Sequence, residues 1–365
     1  MERRHFFERF DWVFVAAVVL ILIFGLVVIF SLDQGSDFIF FKKQLIAVVL
    51  GLIVFFVVNA MPSRLWYYWS YWLYAIAIIL GLLVLVFGST TRGTTGWIKF
   101  VGLGFQPVEL MKIFLIFFLA RYFSNSLKDI FSWKRLLISG IFSFFLIGLI
   151  LLQPDLGSAM ILVAVWLGLL LLSGVKKSQI LILMLAGVVV FVSAWFGLLH
   201  DYQKARLLTF VNPTQDVLGS GYNVRQAIIS LGSGEIFGRG LTRSFQSQLN
   251  FLPEAHTDFI WATLGESFGF VGMLVILILF VAIFYKMLHY LVVNNSIFEN
   301  LTIAGIVIMF FVQMAINIGM NVGLLPVTGV PLPLVSFGGS HIIVDCLALG
   351  VAHRIMRQKS RVQTI

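Results

Sequence analysis

Residues 251–269 read F-L-P-E-A-H-T-D-F-I-W-A-T-L-G-E-S-F-G and join the longest polar interval of the chain to an apolar run. Asp258 therefore lies where an aqueous loop meets a segment that is long enough to enter a membrane. Ionisable side chains at that depth are expensive to hold, and by default they mark a functional site. The sequence therefore predicts that the chemistry takes place at Asp258.

The composition is that of a polytopic membrane protein. Hydrophobic residues make up 60% of the 365 residues and charged residues only 11%, whereas a soluble domain carries roughly 25% charged residues. The net charge of +9 does not indicate nucleic-acid binding, because the basic residues lie in short loops between apolar runs. The single cysteine, Cys346, excludes an intramolecular disulfide and is expected to be a buried, inert thiol.

Long apolar runs predict an all-α polytopic fold of about ten transmembrane helices, since one crossing takes about 20 residues. A polar interval at 200–258 separates the seventh and eighth runs and predicts a large extracytoplasmic loop. Residues 1–365 as a whole are predicted to form one membrane domain, and the absence of an internal repeat counts against a secondary transporter. The runs are found at approximately 11–30, 44–60, 68–88, 107–122, 135–152, 156–173, 178–199, 259–289, 300–322 and 338–356.

Basic residues predict the orientation of these helices. They cluster at both ends of the chain and in alternate loops, so both termini and those loops are expected to be cytoplasmic. Lys42 and Lys43 fall on the other side and run against this pattern. No cleavable signal peptide is expected, because the first run is long enough to span and no A-x-A-like site follows it.

A second candidate group is the pair Glu109 and Lys112 in the fourth apolar run. The i,i+3 spacing places both side chains on one helix face, where they partly neutralise each other. A charged pair in lipid is costly, so the pair should face the bundle interior or a water-filled cavity. Two interpretations stay open: a structural ion pair that fixes helix packing, or a site in which Lys112 binds substrate phosphate or holds a carboxylate in place.

Two further candidates lie in external turns. Asp155, in the motif Q-P-D-L-G, either caps the helix that follows or lies on the same side of the membrane as Asp258 and approaches Lys112. Trp97, in R-G-T-T-G-W-I-K, is predicted as a substrate contact, with a place in the interfacial aromatic belt as the alternative.

The external interval carries cations and one short helix. Between two Gly-Ser-Gly motifs, the pattern over 223–231 predicts an amphipathic helix that lies at the membrane interface. The basic residues are expected to hold an anionic head group such as a diphosphate. The alternative is that most of them are solvated charges that bind anionic lipid. They are Lys204, Arg206, Arg225, Arg239 and Arg243.

A proline- and glycine-rich stretch at 326–340 cannot continue a helix. Irregular backbone near membrane depth is tolerated only where it lines a cavity or is buried in protein. Asn317 and Asn321 on the preceding helix are placed to hydrogen-bond to it. Ser340 is included among the predicted substrate contacts, with structural support as the alternative role of the stretch.

His256 lies two residues before Asp258, so on an extended segment both side chains would point to one side. His256 is predicted to contact substrate, with a hydrogen-bonded spacer as the alternative. No D-x-D, H-E-x-x-H or paired-cysteine pattern is present, so no metal ligands are assigned and no tight metal site is expected. A loosely bound divalent cation, Mg2+ or Mn2+, is the one cofactor that stays open.

Four motifs, in this order, resemble the SEDS (shape, elongation, division and sporulation) family over essentially the whole chain: F-Q-P-V-E-L-M-K, Q-P-D-L-G, F-L-P-E-A-H-T-D-F-I and P-V-T-G-V-P-L-P-L-V-S-F-G-G-S. The short N-terminal tail and S-Q-L-N-F-L-P at 247–253 look more like the RodA elongation branch than the FtsW division branch. The chain departs from the family pattern at Glu266 and Ser267, where two acidic residues are common, and at His341, where a small or apolar residue is usual.

The resemblance implies a ten-helix peptidoglycan glycosyltransferase of the bacterial cytoplasmic membrane. Such an enzyme polymerises lipid II, as donor and acceptor, at the outer face and works with a class B penicillin-binding protein in membrane lipid. The aspartate matching Asp258 is the catalytic residue, and the positions matching Glu109, Lys112, Asp155 and Arg206 contribute to the polar cavity. Two alternatives stay open: a flippase that moves the same lipid-linked precursor, and a scaffold that recruits a synthase.

Overall fold

The computed structural model describes residues 10–33, 37–91, 94–100, 103–125, 132–197, 204, 220–241, 251–294 and 296–359. Within these ranges the chain forms eleven longer α-helices and three short β-strands. The helices are α1 (Trp12–Leu32), α2 (Ile39–Ala60), α3 (Arg64–Phe87), α4 (Pro107–Ser124), α5 (Trp133–Leu151), α6 (Leu156–Leu172), α7 (Lys177–Gly197), α8 (Ser220–Ser233), α9 (Ile260–Val293), α10 (Ile297–Asn321) and α11 (Gly339–Lys359). The strands are β1 (Ser89–Thr91), β2 (Thr94–Phe100) and β3 (Leu103–Phe105).

Each of the ten apolar runs coincides with a helix of its own, so hydropathy locates the helices correctly. Six of the described helices, α1, α2, α3, α5, α9 and α10, are long and apolar enough to cross a membrane. Shorter apolar helices lie in α6 and α7, while α4 and α11 carry charged side chains within the helix. The chain is therefore a mostly helical, multi-pass membrane protein.

The prediction of an all-helical chain is wrong between α3 and α4. Here β1, β2 and β3 form a small antiparallel sheet with β2 in the middle and Ile98 opposite Phe105. The segment is rich in β-branched threonine, which favours extended backbone over helix. The sheet lies beside the turn between α5 and α6, where Thr95 N donates to Gln153 O at 3.3 Å.

Helices α2 and α11 pack closely because glycine removes a side chain at two points of their crossing. An ideal Cβ on Gly51 would lie 2.9 Å from Cys346 Sγ, and one on Gly350 would lie 2.8 Å from Phe55 O. Small residues at a helix crossing allow backbones to approach, which is how membrane helices gain packing contacts. Cys346 is buried at this crossing, as expected for an inert thiol.

Helix α9 is broken at Gly269, whose φ of 65° and ψ of −165° are not helical. Before the break, Arg239 N donates to Glu266 O at 2.9 Å. After the break, Phe270 N donates to Glu235 O at 2.9 Å. Unpaired backbone groups are costly in a membrane, so the segment that follows α8 completes the hydrogen bonding of α9.

Helix α8 confirms the amphipathic helix predicted between the two Gly-Ser-Gly motifs. It packs on α9 and α10, with Leu231 against Gly265. Ala227 on its inner face is buried in one cluster with Phe259. Helix α8 therefore covers the beginning of α9, directly after Asp258.

Candidate functional site

Helices α4, α6, α9 and α11 all begin at one end of the molecule, which we call the site end. Gln106, directly before α4, contacts the first residues of α11 and the residue directly before α6. Its backbone N–H donates to Ser340 Oγ in the first turn of α11 at 3.2 Å. Its Nε2 donates to Asp155 Oδ2, directly before α6, at 3.5 Å. The starts of α4, α6 and α11 are therefore in contact.

The irregular stretch at 326–338, which we call the proline-rich segment, joins this group to the start of α9. Gly157 in the first turn of α6 lies against it, because an ideal Cβ on Gly157 would be 2.6 Å from a Val330 methyl. On its other side, an ideal Cβ on Gly329 would be 3.6 Å from Asp258 Oδ2. Much of the segment is buried in protein, as expected for irregular backbone in a membrane protein.

Asp258 occupies the turn immediately before α9 and is partly exposed. Its carbonyl oxygen accepts hydrogen bonds from Asn317 Nδ2 and Asn321 Nδ2 of α10, each at 3.0 Å. Asn321 Oδ1 also accepts from Ala262 N in the first turn of α9 at 3.0 Å. The predicted bond to the proline-rich segment is confirmed for Asn317, which donates to Val330 O at 2.9 Å. Together these bonds fix the backbone that carries the Asp258 carboxylate.

The proline-rich segment also holds the two residues before Asp258. Phe337 N donates to His256 O at 2.8 Å, and Ser336 Oγ donates to Thr257 O at 2.7 Å. Three successive carbonyl groups at 256–258 are therefore fixed by donors from other elements. Such support is what a catalytic group needs if it is to stay in its productive position.

The extended conformation expected around His256 and Asp258 is wrong. Residues 253–259 form consecutive turns, because a proline opens the segment and favours a turn. The His256 ring packs between two aromatic side chains, with centroid distances of 4.6 Å to Phe40 and 5.6 Å to Phe337. These contacts fit a packing role, and contact between His256 and substrate stays a prediction.

The Glu109–Lys112 pair lies inside the bundle, as the sequence predicts. Lys112 Nζ is 2.7 Å from Glu109 Oε2, and the exposed fractions of the two side chains are 1% and 4%. Of the two roles left open for Lys112, holding a carboxylate in place is the one that its contacts provide. Phosphate binding by Lys112 stays a prediction.

His341 and Asp345 extend this pair to α11, a connection that sequence reasoning does not find. His341 Nδ1 lies 3.2 Å from Glu109 Oε2, and His341 Nε2 lies 3.2 Å from Asp345 Oδ2. Asp345 Oδ2 also accepts a hydrogen bond from Leu334 N at 2.9 Å. The signal in the sequence is an aspartate within an apolar run, one turn after a histidine, since ionisable residues inside a membrane are rare and paired.

Asp155 caps α6, so the structural role left open for it is confirmed. Its Oδ1 accepts from Ser158 N at 2.9 Å, and its Oδ2 accepts from Ser158 Oγ at 2.8 Å. Burial raises the pKa of Asp155, while the Ser158 hydrogen bonds and the nearby Lys112 charge act in the opposite direction. The same carboxylate lies at the site end, so substrate binding by Asp155 stays a prediction beside the cap.

The remaining predicted site residues lie on the elements around the site end or beyond the described ranges. Trp97 lies on β2, half-buried, with its ring against Gly104 of β3. Arg225 is exposed on α8. Arg206 and Arg243 lie outside the residues that the structure describes.

The chain matches one family over nearly its whole length. The family model of the cell cycle proteins FtsW, RodA and SpoVE matches residues 11–361. This chain belongs to that family. The resemblance to the SEDS family is thereby confirmed.

Members of the family with three different names are similar to the chain over most of its length. The peptidoglycan glycosyltransferase MrdB of Escherichia coli K12 is 35% identical over 345 residues, which are 93% of each chain. A probable peptidoglycan glycosyltransferase FtsW of Acinetobacter baylyi is 34% identical over 357 residues, which are 94% of this chain and 88% of that protein. Stage V sporulation protein E of Bacillus subtilis is 33% identical over 361 residues, which are 95% of this chain and 97% of that protein.

Two solved structures are similar to the chain as well. A chain of a peptidoglycan synthase complex that coordinates polymerization and crosslinking matches with a TM-score of 0.83 and 28% identity, over 96% of this chain and 98% of that chain. The rod shape determining protein RodA of Thermus thermophilus matches with a TM-score of 0.71 and 25% identity, over 96% of this chain and 97% of that chain. The SEDS family assignment from sequence and the similarity of fold therefore cover the same extent of the chain.

Proposed function

We propose that this chain is a peptidoglycan glycosyltransferase that polymerises lipid II into glycan strands, with Asp258 as the general base. The observation that carries the proposal is the position of Asp258. Its backbone is held by Asn317 and Asn321 at the end of the bundle where α4, α6, α9 and α11 begin, and the residue is partly exposed. The E. coli and Acinetobacter relatives carry this activity in their names. They supply the class of reaction, and the geometry supplies a residue suited to it.

The chemistry needs little from the protein besides a base and a binding site. Lipid II carries its sugars on a polyprenyl diphosphate, and the diphosphate is a leaving group that needs little protonation. The acceptor hydroxyl needs a base, so Asp258 removes its proton as the oxygen attacks the anomeric carbon of the donor. Direct displacement inverts that carbon and converts an α-linked donor into a β-linked polymer, so one carboxylate suffices.

The site end is suited to an anionic diphosphate. The first N–H groups of a helix carry a partial positive charge and favour bound anions. Helices α4, α6, α9 and α11 all begin there, although the Asp155 carboxylate already occupies the cap of α6. Arg225 on α8 and the other cations predicted within 200–258 stabilise the charge that develops on the leaving group.

The proposed topology has ten transmembrane helices, α1–α7 and α9–α11, in the bacterial cytoplasmic membrane. Both termini are cytoplasmic, and the interval 200–258 between α7 and α9 lies outside with the site end. Helix α7 supports a lateral opening for the polyprenyl chain, because most of its described side chains are exposed, among them Leu185, Val189 and Phe196. The lipid tail of the substrate thereby stays in the bilayer while its sugars react at the outer face.

The proposed partner is a class B penicillin-binding protein that cross-links the new strands, and the proposed setting is cell elongation. Support comes from the similarity to a chain of a synthase complex that coordinates polymerization and crosslinking, and from the similarity to RodA. A loosely bound Mg2+ or Mn2+ stays a prediction. In the described part of the chain, no group of three His, Cys, Asp or Glu side chains is arranged to hold a metal ion.

A flippase for the same precursor is the second candidate. The observation that favours it is the buried group of Glu109, Lys112, His341 and Asp345, since ionisable residues inside a membrane also line transport paths. Against it, the polar groups around Asp258 gather at one end of the bundle, whereas a transport path needs polar groups through the full membrane depth.

Polymerisation of labelled lipid II by the purified protein, with and without its partner, tests the proposal. We expect glycan from the wild type and a loss of at least about 100-fold from Asp258→Asn, the size of a general-base contribution. Asp37→Asn, at an exposed aspartate outside the site, is the matched control and should keep wild-type activity. Equal polymer from Asp258→Asn would remove Asp258 from catalysis. Translocation in liposomes without polymer would establish the flippase.

A further inference from the structure

Four ionisable side chains form one buried network between α4 and α11. Glu109 Oε2 is shared by two nitrogen partners, Lys112 Nζ at 2.7 Å and His341 Nδ1 at 3.2 Å. On the far side of the ring, His341 Nε2 lies 3.2 Å from Asp345 Oδ2. The exposed fraction is 4% or less for every member. His341 is therefore the side chain that links the two carboxylates.

Both ring nitrogens of His341 face carboxylate oxygens. An ionised carboxylate only accepts hydrogen bonds, so a ring nitrogen beside it is attracted only if it carries hydrogen. The Nε2 contact with Asp345 lies within ion-pair distance but lacks hydrogen-bond geometry, and no other polar atom among the described residues pairs with Nε2. A neutral ring would turn a lone pair toward one of the carboxylates. A doubly protonated ring turns an N–H group toward each of the two carboxylates.

The balance of charge leads to the same protonation state. Glu109 and Asp345 contribute two negative charges and Lys112 one positive charge, so an imidazolium at His341 makes the network neutral. With both carboxylates ionised, a neutral ring would leave one negative charge uncompensated among side chains that are 4% exposed or less, which is strongly unfavourable. Asp155 is a further ionisable group near Lys112, and its carboxylate accepts hydrogen bonds from Ser158 and Gln106 at the start of α6.

Asp345 connects this network to the backbone of the candidate base. It accepts a hydrogen bond from Leu334 N at 2.9 Å. Leu334 has a φ of 62°, a conformation that a residue other than glycine adopts only where its surroundings hold it. A few residues later in the proline-rich segment, Ser336 and Phe337 donate to the carbonyl groups directly before Asp258.

We propose that His341 is a positioning residue whose imidazolium bridges Glu109 and Asp345. The bridge sets the proline-rich segment against α4, and the segment in turn sets the backbone of Asp258. His341 thus acts on the reaction through the position of Asp258 and not through contact with substrate. Of the two tests below, the measurement of activity rests on the proposed function, whereas the measurement of the His341 protonation state does not.

Nitrogen-15 NMR of the full-length protein in nanodiscs tests the protonation state. The chain has six histidines, and comparison with the His341→Gln spectrum assigns the His341 signals. We expect both ring nitrogens of His341 to carry hydrogen at pH 7. A ring with one unprotonated nitrogen at that pH overturns the proposal, whatever the protein catalyses.

Charge rescue tests the positioning role. We expect His341→Gln to lower kcat for lipid II polymerisation about tenfold with KM unchanged, the size of a coupled interaction between neighbouring groups. The double variant His341→Gln with Asp345→Asn restores a neutral network and should recover most of that loss. His289→Gln, at an exposed histidine on α9, is the matched control and should keep wild-type activity.

A double variant that is no more active than His341→Gln overturns the proposal, because a histidine that only fills space gives no recovery when a second residue is changed. If His341→Gln is too unstable for kinetics, the same order of variants is expected in the Tm measured in detergent, and its absence there also overturns the proposal. If even the wild type makes no polymer, the proposed function fails, while the NMR spectrum and the Tm series still decide the role of His341.

Discussion

The two ends of the helix bundle hold their charges in different ways. At the site end, Lys112 and Glu109 lie 2.7 Å apart with exposed fractions of 1% and 4%. At the opposite end, Lys286 and Asp11 lie 2.9 Å apart with exposed fractions of 33% and 32%. Asp11 there also caps α1, because its Oδ1 accepts from Phe14 N at 3.1 Å. At the opposite end, the ion pair lies at a partly exposed surface and one of its members caps a helix. The ion pair at the site end is buried, and a buried ion pair is not favoured by stability alone.

The other polar contacts of the opposite end show the same structural character. Arg357 Nη1 donates to Asn59 Oδ1 at 3.1 Å, and the Asn59 amide in turn pairs with the His353 ring. Glu299 accepts from Ser63 Oγ at 3.1 Å, which joins the start of α10 to the start of α3. Each of these groups ties helix ends together. At the site end, the buried network instead connects to Asp258 through backbone contacts of the proline-rich segment. This connection indicates that the buried charges serve to position Asp258.

Removal of the cation at each end is the strongest test of this difference. Lys112→Met leaves His341 as the remaining partner of the buried Glu109 carboxylate and one negative charge of the network uncompensated, so we expect a loss of about 3–5 kcal/mol in the free energy of unfolding. Lys286→Met removes the cation from a pair that is a third exposed and screened by solvent, so we expect a loss of about 1 kcal/mol or less. Unfolding by SDS in mixed micelles measures both values. Similar losses would show that the two ends do not differ in this respect.

A single side chain that holds the Asp258 backbone gives a finer test. Asn321→Leu removes the amide that donates to the Asp258 carbonyl and accepts from Ala262 N. We expect a loss of about 1 kcal/mol in the free energy of unfolding, in the range of hydrogen bonds between membrane helices. The kcat should nevertheless fall about tenfold, because a misplaced base is costly for the reaction.

Asn300, at the other end of α10, provides the matched control. Its amide exchanges hydrogen bonds of 3.0 and 3.1 Å with Asn294, so Asn300→Leu removes a comparable set of contacts. We expect a similar loss of stability but an unchanged kcat. If both variants lower kcat equally, Asn321 has no special role in positioning Asp258.

The features that the sequence predicts well are local ones. A membrane crossing needs one long apolar segment, so hydropathy alone locates the ten long helices. Asp258 stands out because a polar interval ends beside it, and Asp155 stands out because an aspartate after a turn is a good helix cap. The Glu109–Lys112 pair lies one turn apart on one helix, so its spacing is enough to predict the contact.

The features that the sequence misses depend on contacts between distant segments. Glu109 and His341 are separated by 232 positions, and no local pattern indicates that α4 and α11 bring them together. The sequence therefore shows Asp345 as a charge within an apolar run and does not reveal its connection to α4. The break at Gly269 is missed for the same reason, because the hydrogen bonds that repair it come from the segment after α8.

Substitutions of exposed cations have the smallest expected effect. Arg225 lies on the exposed face of α8 at the site end, so Arg225→Ala should change the free energy of unfolding by no more than about 0.5 kcal/mol. If it helps to hold the diphosphate, the KM for lipid II should rise about twofold to threefold, the size of an exposed ionic contact, and the difference should shrink at high salt. Arg64, exposed at the start of α3, is the control at the opposite end, and Arg64→Ala should leave KM unchanged. Polymerisation rates at several lipid II and salt concentrations measure both effects. An equal rise in KM for the two variants would mean that general attraction to an anionic membrane, and not a contact at the site end, accounts for the effect of Arg225.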